Sequence, residues 1–387
     1  IVVSNHPSTL MDVLNVGEPV PKAMFFLANY GLFKNPVSNW ILTRLFCIPI
    51  KRKEDVAEGD SRNNDSAFEQ SFQHLEKQGI LFIAPEGYSW MNRWVREFKT
   101  GTARIAFGAE SRNNWQLGLK IYPVGLTYSA PNLFRSQVVI NYGEPVSVAA
   151  WESAWRQHRA KAVDALTNEL QQQVTGLTVH TRDEAGQQLI AGLDEILANR
   201  HPLPPIETFQ RSQQLANRYL DHAALSAQVE DYFANLRAAH LRDIGLEQCG
   251  RRLSVAPTVL GFPFFALGYA FWWLPCFLPW LLTRSLGLYV GYASTLKVLA
   301  GAIVIPLWLW GAYRMLLHFS GSGAIALLVL VLCVGLAFIA EPYLDVFQPF
   351  RQQQKAALFA LRHPATWREL SGKREAILQA VSENNKN

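Results

Sequence analysis

A histidine and an aspartate near the start of the chain have the residue types of a catalytic base and its orienting acid. His6 follows the apolar run 1–3, and five residues separate His6 from Asp12. Imidazole has a pKa of about 6.5 and can take a proton from a hydroxyl group near neutral pH. A carboxylate on Nδ1 would fix the tautomer and leave Nε2 free for this task.

The local sequence favours a close approach of these two side chains. Ser8 and Thr9 are typical N-cap residues, so we expect a helix to begin here, with Asp12 in its first turn and near His6. The alternative interpretation is that His6 and Asp12 are ordinary polar residues of a loop.

A second candidate site follows an apolar run that ends in Pro-Glu-Gly, at residues 85–87. A sharp turn after a strand could present a carboxylate and backbone N–H groups to a hydroxyl or phosphate ligand. An ordinary turn at a strand end is the alternative. The residues that this segment could direct toward a ligand are Glu86, Gly87, Ser89, Arg93 and Lys99.

Two further features could contribute to binding. The triplet Lys51-Arg52-Lys53 directly follows the apolar run 46–50, and an arginine at a strand end can bind phosphate in a bidentate manner. A solvated charge cluster is the alternative for the triplet. Pro123, inside the apolar run 121–126, is predicted to lie at a sheet edge or in a pocket wall, because proline lacks the N–H of a strand interior.

These residues need a sheet to position them. Five short apolar runs are predicted to be strands, at residues 1–3, 46–50, 80–84, 121–126 and 138–141. Residues 65–78 and 101–109 have helical spacing of apolar side chains, as does a polar, glutamine-rich segment at 151–174. The alternation predicts an α/β domain with helices packed on a mixed sheet.

The chain changes character after residue 150, and we expect four regions. Residues 1–150 form the α/β domain, and residues 151–253 form a helical extension with a proline-rich break at 201–205. Residues 254–342 hold membrane-embedded segments, and residues 343–387 form a helical tail. Leu225, Val229, Tyr232 and Leu236 are predicted to mark one face of an amphipathic helix in the extension.

Three apolar stretches, at residues 254–283, 298–313 and 319–340, are free of charged side chains. A helix needs about 20 apolar residues to cross a bilayer. The first stretch contains four prolines, so we expect it to be re-entrant or interfacial and the other two to cross. Positive charges on the flanks and in the tail favour an even number of crossings, with both flanks on the cytoplasmic side. A buried helical bundle in a soluble protein is the alternative.

Composition sets further bounds. The net charge of +5 is mild and has no long basic block, which fits contact with anionic lipid or phosphate better than nucleic-acid binding. The four cysteines are widely spaced and match no zinc pattern, so they are expected to be free thiols in a reducing or membrane setting. The chain begins inside an apparent strand, so we expect the natural N-terminus to be missing.

The ordered set of His6 and Asp12, a strand-end arginine, Pro85-Glu86-Gly87 and Pro123-Val124 closely resembles the glycerolipid acyltransferase family over residues 1–150. That family includes lysophosphatidic acid and glycerol-3-phosphate acyltransferases. The resemblance implies that His6 is the general base and that Asp12 completes the dyad. It implies further that Arg52, Glu86 and Gly87 bind the glycerol-phosphate acceptor, and that Pro123 lies on the acyl-donor side.

The chain departs from the family pattern at two places. The usual spacing is His-x4-Asp, whereas this chain has the His-x5-Asp form of a bacterial subgroup, and the loop at Pro7 is expected to absorb the extra residue. Thr-Arg-Ser usually follows Pro-Glu-Gly, but here the sequence is Tyr-Ser-Trp, at residues 88–90. Arg93 is expected to replace the missing arginine.

The resemblance implies a membrane-bound O-acyltransferase of phospholipid biosynthesis. Its acceptor would be 1-acyl-sn-glycerol-3-phosphate, and the alternatives are glycerol-3-phosphate or another lysolipid. Acyl-CoA or acyl-carrier protein would be the co-substrate, with no metal and no other cofactor. Membrane lipid is the expected partner, nucleic acid is not, and the expected location is the cytoplasmic side of a bacterial inner membrane. A non-catalytic lipid-binding protein and a thioesterase are the rival classes.

Overall fold

The computed structural model describes residues 1–51, 64–133, 135–251, 255–287 and 289–383. Two compact units divide the chain, Ile1–Glu184 and Ala185–Asn387. The boundary predicted at residue 150 falls inside the first unit.

The first unit is built on a mixed sheet. Its strands are β1 (Val2–Ser4), β2 (Met24–Asn29), β3 (Cys47–Ile50), β4 (Ile80–Ile83), β5 (Lys120–Tyr128), β6 (Val138–Tyr142) and β7 (Val146–Ser147). They lie in the order β3-β2-β4-β1-β5-β6, and β7 also pairs with β5. Strands β1 to β5 are parallel, and β6 and β7 are antiparallel to β5. The five predicted strands are confirmed, and β2 and β7 are additional strands.

Helices cover both faces of this sheet. They are α1 (Leu10–Gly17), α2 (Pro36–Arg44), α3 (Asp65–Glu76), α4 (Gly101–Arg112), α5 (Glu152–Gln157) and α6 (Arg159–Gly176). The prediction of a single helix at 151–174 is wrong in one respect: two helices lie there. The chain is extended between them at His158, with φ −157° and ψ 95°. The His158 side chain accepts a hydrogen bond from the N–H of Lys161 and caps α6.

The period of two along β1 divides the core between the two faces. Val3 packs in the larger cluster with side chains of α3, α4 and α6, whereas Val2 packs on the other face with Val13 and Val16 of α1. All three residues of β1 are buried, as expected for a central strand of a parallel sheet. The carboxyl end of β1 is therefore held firmly from both faces, and His6 follows it directly.

The second unit contains a set of amphipathic helices. They are α7 (Glu184–Arg200), α8 (Pro205–Tyr219), α9 (Ala223–Ala238), α10 (Asp243–Gln248) and α14 (Pro364–Glu383). The four side chains predicted to mark one face of an amphipathic helix are all buried on α9. Arg374 of α14 is buried and donates hydrogen bonds to Asp243 and Glu247 of α10, at 2.7 Å to each carboxylate.

Three long apolar helices complete the second unit: α11 (Ala256–Ser285), α12 (Ala293–Ser320) and α13 (Gly323–Arg362). They pack against one another, and each is long and apolar enough to cross a membrane. At about 1.5 Å per residue, even the shortest exceeds a hydrocarbon core of about 30 Å.

The first apolar stretch forms one continuous helix, α11, through Pro263, Pro275 and Pro279, and its re-entrant or interfacial placement stays a prediction. Apolar helices tolerate proline when neighbouring groups satisfy the freed backbone atoms. Three candidate spans lie among the described residues, and an even number of crossings stays a prediction.

Candidate active site

His6 lies just beyond the carboxyl end of β1, between the ends of β4 and β5. The Asn5 side chain fixes this position by pairing with the backbone of Leu126 in β5: its Nδ2 donates to the carbonyl at 2.9 Å, and its Oδ1 accepts from the N–H at 2.8 Å. On the other side, the N–H of Trp90 donates to the His6 carbonyl at 2.9 Å. Ligands of open parallel sheets bind at this edge, so the fold places the histidine where chemistry is expected.

Asp12 lies in the first turn of α1, as predicted, and is fully buried. Its Oδ2 is 2.9 Å from His6 Nδ1 and accepts a hydrogen bond from the Ser8 N–H at 2.8 Å. Thr9, between His6 and Asp12, has a positive φ of 50°, and the place of the extra residue in the loop stays a prediction. This unusual backbone conformation brings the carboxylate back under the histidine.

The imidazole is oriented for proton transfer. Its Nδ1 atom is buried, lies 2.9 Å from Asp12 Oδ2 and has no well-aligned hydrogen bond among the described residues. The side chain is 19% exposed. Because Nδ1 is buried, this exposed part belongs to the rest of the ring, where Nε2 lies.

Tyr128 is a site residue that the sequence analysis missed. Its hydroxyl donates to Asp12 Oδ1 at 2.8 Å and accepts from Asn15 Nδ2 at 2.9 Å. Burial raises the Tyr128 pKa, and the negative charge of Asp12 raises it further, so the phenol stays protonated and donates. Asp12 is thus held by two hydrogen bonds in addition to its contact with His6.

Glu86 lies at the end of β4, next to β1, and is almost fully buried. Burial raises its pKa to about 8, and the charge of Asp12 acts in the same direction. The charge of Arg96 and the backbone N–H groups of Arg96 and His6 lower this pKa but do not cancel the effect of burial. Glu86 is therefore mostly protonated at pH 7 and can donate a hydrogen bond.

Gly87 and Lys99 form a close pair after this strand. Gly87 has φ +78°, and a Cβ placed there would lie 2.8 Å from Lys99 Nζ. Any side chain at position 87 would therefore displace the ammonium group, which also lies 5.3 Å from the centre of the Tyr88 ring. The N–H of Gly87 donates to the Ala84 carbonyl at 3.1 Å and closes the turn.

The remaining predicted residues have different surroundings. Ser89 is buried, and its hydroxyl has no hydrogen-bond partner among the residues that the structure describes. The carbonyl of Arg93 accepts from both the N–H and the hydroxyl of Thr181, at 2.7 and 2.9 Å, so this residue anchors the loop through its backbone. Arg52 lies outside the described residues. Its neighbour Lys51 follows β3 at the same edge of the sheet as His6.

Arg96 is a second residue that the sequence analysis missed. Its guanidinium lies 4.7 Å from the centre of the Trp90 ring and 4.5 Å from that of Trp94. Its Nε is buried without a hydrogen-bond partner in the described part of the chain, and its charge and backbone act on Glu86. Arg96 is therefore a cation that the structure links directly to the Pro-Glu-Gly turn.

Pro123 does not lie at a sheet edge, and the prediction of an edge position is wrong. It is buried in β5 beside Val3, because β5 has β1 on one side and β6 or β7 on the other. The proline falls where β5 changes partner: β7 pairs with residues up to Ile121, and β6 pairs from Val124 onward. Its carbonyl accepts from the Gly143 N–H at 2.8 Å, and because proline has no N–H to return this hydrogen bond, the β6 ladder ends here.

Comparison with known proteins defines the class. Residues 1–127 match the Acyltransferase family model, so this part of the chain is similar to that family. The resemblance drawn from the four ordered sequence blocks is thereby confirmed for residues 1–127.

The relatives are named for closely related reactions. Glycerol-3-phosphate O-acyltransferase 2 of Saccharomyces cerevisiae is 32% identical over 113 residues, which are 28% of this chain and 15% of the relative. Glycerol-3-phosphate O-acyltransferase 1 of the same yeast is 25% identical over 193 residues, covering 47% of this chain and 25% of the relative. The chloroplastic 1-acyl-sn-glycerol-3-phosphate acyltransferase LPAT1 of Arabidopsis thaliana is 24% identical over 146 residues, 37% of this chain and 36% of the relative.

A solved structure is also similar. The crystal structure of the 1-acyl-sn-glycerophosphate acyltransferase PlsC from Thermotoga maritima is 23% identical, covers 44% of this chain and 65% of its own, and has a TM-score of 0.28. The chain spans at most about a third of the length of these three curated relatives.

Proposed function

We propose that the chain is a membrane-bound O-acyltransferase that acylates a glycerol-phosphate-type acceptor, most specifically 1-acyl-sn-glycerol-3-phosphate to give phosphatidic acid. The observation that carries this proposal is the 2.9 Å contact between His6 Nδ1 and the buried Asp12 carboxylate, inside a domain that matches the acyltransferase family. Glycerol-3-phosphate is the second candidate acceptor, because two of the yeast relatives are named for it.

The proposed reaction uses His6 as the base. Nε2 takes the proton of the acceptor hydroxyl, and the oxygen attacks the thioester carbonyl carbon of acyl-CoA or acyl-carrier protein. The carbon–sulfur bond of the tetrahedral intermediate breaks, and the imidazolium returns its proton to the leaving thiolate. Asp12 stabilises the imidazolium while it exists. Backbone N–H groups near Gly87 or at the amino end of α1 are the candidate donors for the oxyanion.

The acceptor would be held by groups at the same edge of the sheet. A protonated Glu86 can donate to a glycerol oxygen, and the unpartnered hydroxyl of Ser89 can bind another. Arg96 and Lys99 supply positive charge beside the Pro-Glu-Gly turn, and we propose that they join Arg52 in binding the phosphate. Gly87 keeps space for the Lys99 ammonium. Binding roles for Arg93 and Pro123 stay predictions from the family resemblance.

The three long apolar helices support a membrane location, which suits a reaction whose acceptor and product are lipids. The cytoplasmic side, the bacterial inner membrane and the absence of a metal or further cofactor stay predictions.

The test is acyl transfer by the full chain in vesicles, with labelled acyl-CoA or acyl-carrier protein. The acceptors are lysophosphatidic acid, glycerol-3-phosphate, or none. We expect phosphatidic acid from the wild type, and a loss of about 10²–10⁴-fold in His6→Ala. His201→Ala is the control, because that histidine is exposed and belongs to the second unit.

Each rival class has its own result in this assay. Product formed only from glycerol-3-phosphate would select the second acceptor. Free fatty acid released without an acceptor would indicate a thioesterase. Substantial activity in His6→Ala would remove His6 as the base, and no transfer by the wild type with any donor would favour a non-catalytic lipid-binding protein.

A further inference from the structure

The region around α2 presents large apolar side chains to solvent. The 3-10 turn Tyr30–Phe33 precedes α2, and β3 follows it. The exposed side chains, between 40% and 58% accessible, form what we call the α2 patch: Tyr30, Leu32, Trp40, Ile41, Leu45 and Phe46. Contiguous exposed apolar residues of this size mark an interaction site in most soluble domains.

The charges of this region have one sign. Residues 30–51 contain no aspartate or glutamate, and their cations are Lys34, Arg44 and Lys51. The Arg44 guanidinium lies 4.1 Å from the centre of the Trp40 ring, and Lys51 Nζ lies 5.2 Å from that of Tyr30. The rings of Trp40 and Tyr30 in the patch therefore each have a cation at the ring face.

This combination is complementary to an anionic lipid surface. Tryptophan and tyrosine favour the headgroup level of a bilayer, and lysine and arginine can extend from the same level to lipid phosphates. Surface-lying amphipathic helices combine an apolar face with basic residues in the same way. The patch has cations and no acidic residue, so only a strongly acidic protein partner would be attracted to it electrostatically.

The α2 patch lies close to the edge of the sheet that holds His6, which we call the catalytic edge. Tyr30 directly follows β2, and Lys51 directly follows β3. Because β2 and β3 are parallel to β4 and β1, these ends lie at the edge of the sheet where His6 follows β1. The α2 patch therefore starts at the edge that holds His6 and extends along the β3 side of the sheet.

We propose that the α2 patch binds the surface of an anionic membrane and seats the catalytic edge of the first unit at the lipid headgroups. This contact is separate from the three long apolar helices of the second unit. It goes beyond the proposed reaction and does not depend on it, because the patch would bind lipid whether or not His6 acts as a base.

The test measures the depth of labels on the full chain reconstituted in phosphatidylcholine vesicles that contain phosphatidylglycerol. An environment-sensitive fluorophore is attached through Ile41→Cys or, separately, Leu45→Cys, with Cys249, Cys276 and Cys333 replaced by alanine. Cys47 can stay, because it is buried and burial raises its thiol pKa to about 12. The control is Ser153→Cys on α5, an exposed position after β7 and far along the sheet order from β3.

We expect spin-labelled lipids to quench the fluorophores at positions 41 and 45 strongly and the fluorophore at position 153 weakly. The double variant Lys34→Glu, Arg44→Glu, or vesicles of phosphatidylcholine alone, should weaken the quenching. A cation near an anionic surface contributes about fivefold to binding, so two reversals should have a large effect.

Two results would overturn the proposal. One is equal quenching at positions 41 and 153. The other is fluorophores at 41 and 45 that are shielded from water in detergent without lipid, since this would indicate that protein covers the patch. Acyl transfer measured in the same vesicles reports on the reaction separately, so failure of the patch and failure of the enzyme can be distinguished.

Discussion

The phenol of Tyr128 donates a hydrogen bond to Oδ1 of Asp12 at 2.8 Å, and both side chains are buried. Tyr128→Phe removes this donor and keeps the ring, so the ionised form of Asp12 loses stabilisation. We expect kcat/KM at neutral pH to fall by roughly 10-fold. This factor corresponds to the free energy of about 1.5 kcal/mol that a hydrogen bond to a charged group contributes. The acidic limb of the pH–rate profile should also shift to higher pH.

Tyr142→Phe provides a matched control for this prediction. Tyr142 donates its hydroxyl to the Val16 carbonyl at 3.2 Å, so it also holds α1 but does not contact Asp12. A pH–rate profile of Tyr128→Phe that superimposes on that of Tyr142→Phe would show that Tyr128 does not act through the carboxylate.

The buried carboxyl of Glu86 predicts a particular pH dependence of stability. Its pKa rises from 4.5 to about 8 on folding, so between these values the folded state keeps a proton that the unfolded state releases. Stability should therefore fall as the pH rises through this window and level off above it. In Glu86→Gln this fall should be smaller. Between pH 4.5 and 8, the variant should lose at least about 2 °C less melting temperature in detergent than the wild type.

The exposed neighbour Glu97 gives the control for this measurement, as Glu97→Gln. If Glu86→Gln and the wild type lose thermal stability equally between pH 4.5 and 8, the carboxyl is ionised in the folded protein, and its proposed role as a donor fails.

Arg96 should contribute to binding of a phosphorylated acceptor. In Arg96→Ala the cation between Trp90 and Trp94 is lost, and we expect KM for lysophosphatidic acid to rise by about 10- to 100-fold. Arg104→Ala is the control, since that arginine lies against Phe68, 5.3 Å from its ring centre, and not at the Pro-Glu-Gly turn. Steady-state kinetics with varied acceptor would test this, and an unchanged KM would assign the phosphate to other cations.

Arg52→Ala is expected to raise the same KM, as the family resemblance implies. The two arginine substitutions together should cost more than either alone if both contact one phosphate. A KM unaffected by Arg52→Ala would indicate that the acceptor lacks a phosphate or binds it elsewhere.

The buried ion cluster of the second unit predicts a large loss of stability in Arg374→Ala. The substitution leaves the buried Asp243 without its cation, whereas Glu247 keeps Arg200 and Arg251, and the expected cost is about 3–5 kcal/mol. Lys373→Ala is the adjacent control, because Lys373 pairs with the exposed carboxylates of Asp231 and Glu369 and should change stability little. Thermal unfolding in detergent would compare the two, and equal losses would contradict a dominant role for the buried cluster.

The candidate site could be predicted from the sequence where each residue follows a strand directly. His6 and Glu86 are of this kind, and the parallel pairing of β1 with β4 brings them to one edge. Strand β2 was missed because its residues 24–28 are continuously apolar, and such a run does not distinguish a buried strand from a short helix.

Tyr128 and Arg96 could not be predicted because their roles depend on the fold as a whole. The contact between Tyr128 and Asp12 joins residues 116 positions apart through the register of β1 and β5. Arg96 was passed over for Arg93, which lies closer in sequence to the motif, because only the path of the loop shows which arginine faces Glu86. The continuity of α11 was also hidden, since the prolines of a soluble helix would end it.

Pro123 has a consequence for the architecture of the sheet. Strand β5 pairs first with β7 and then with β6, and the amide that would point into the junction between them belongs to a residue that has no N–H. The Gly143 N–H donates to the Pro123 carbonyl, and proline has no N–H with which to return this hydrogen bond, so the β6 ladder ends here. A proline that the family resemblance links to the acyl donor thus also ends one ladder of β5 just before the other begins.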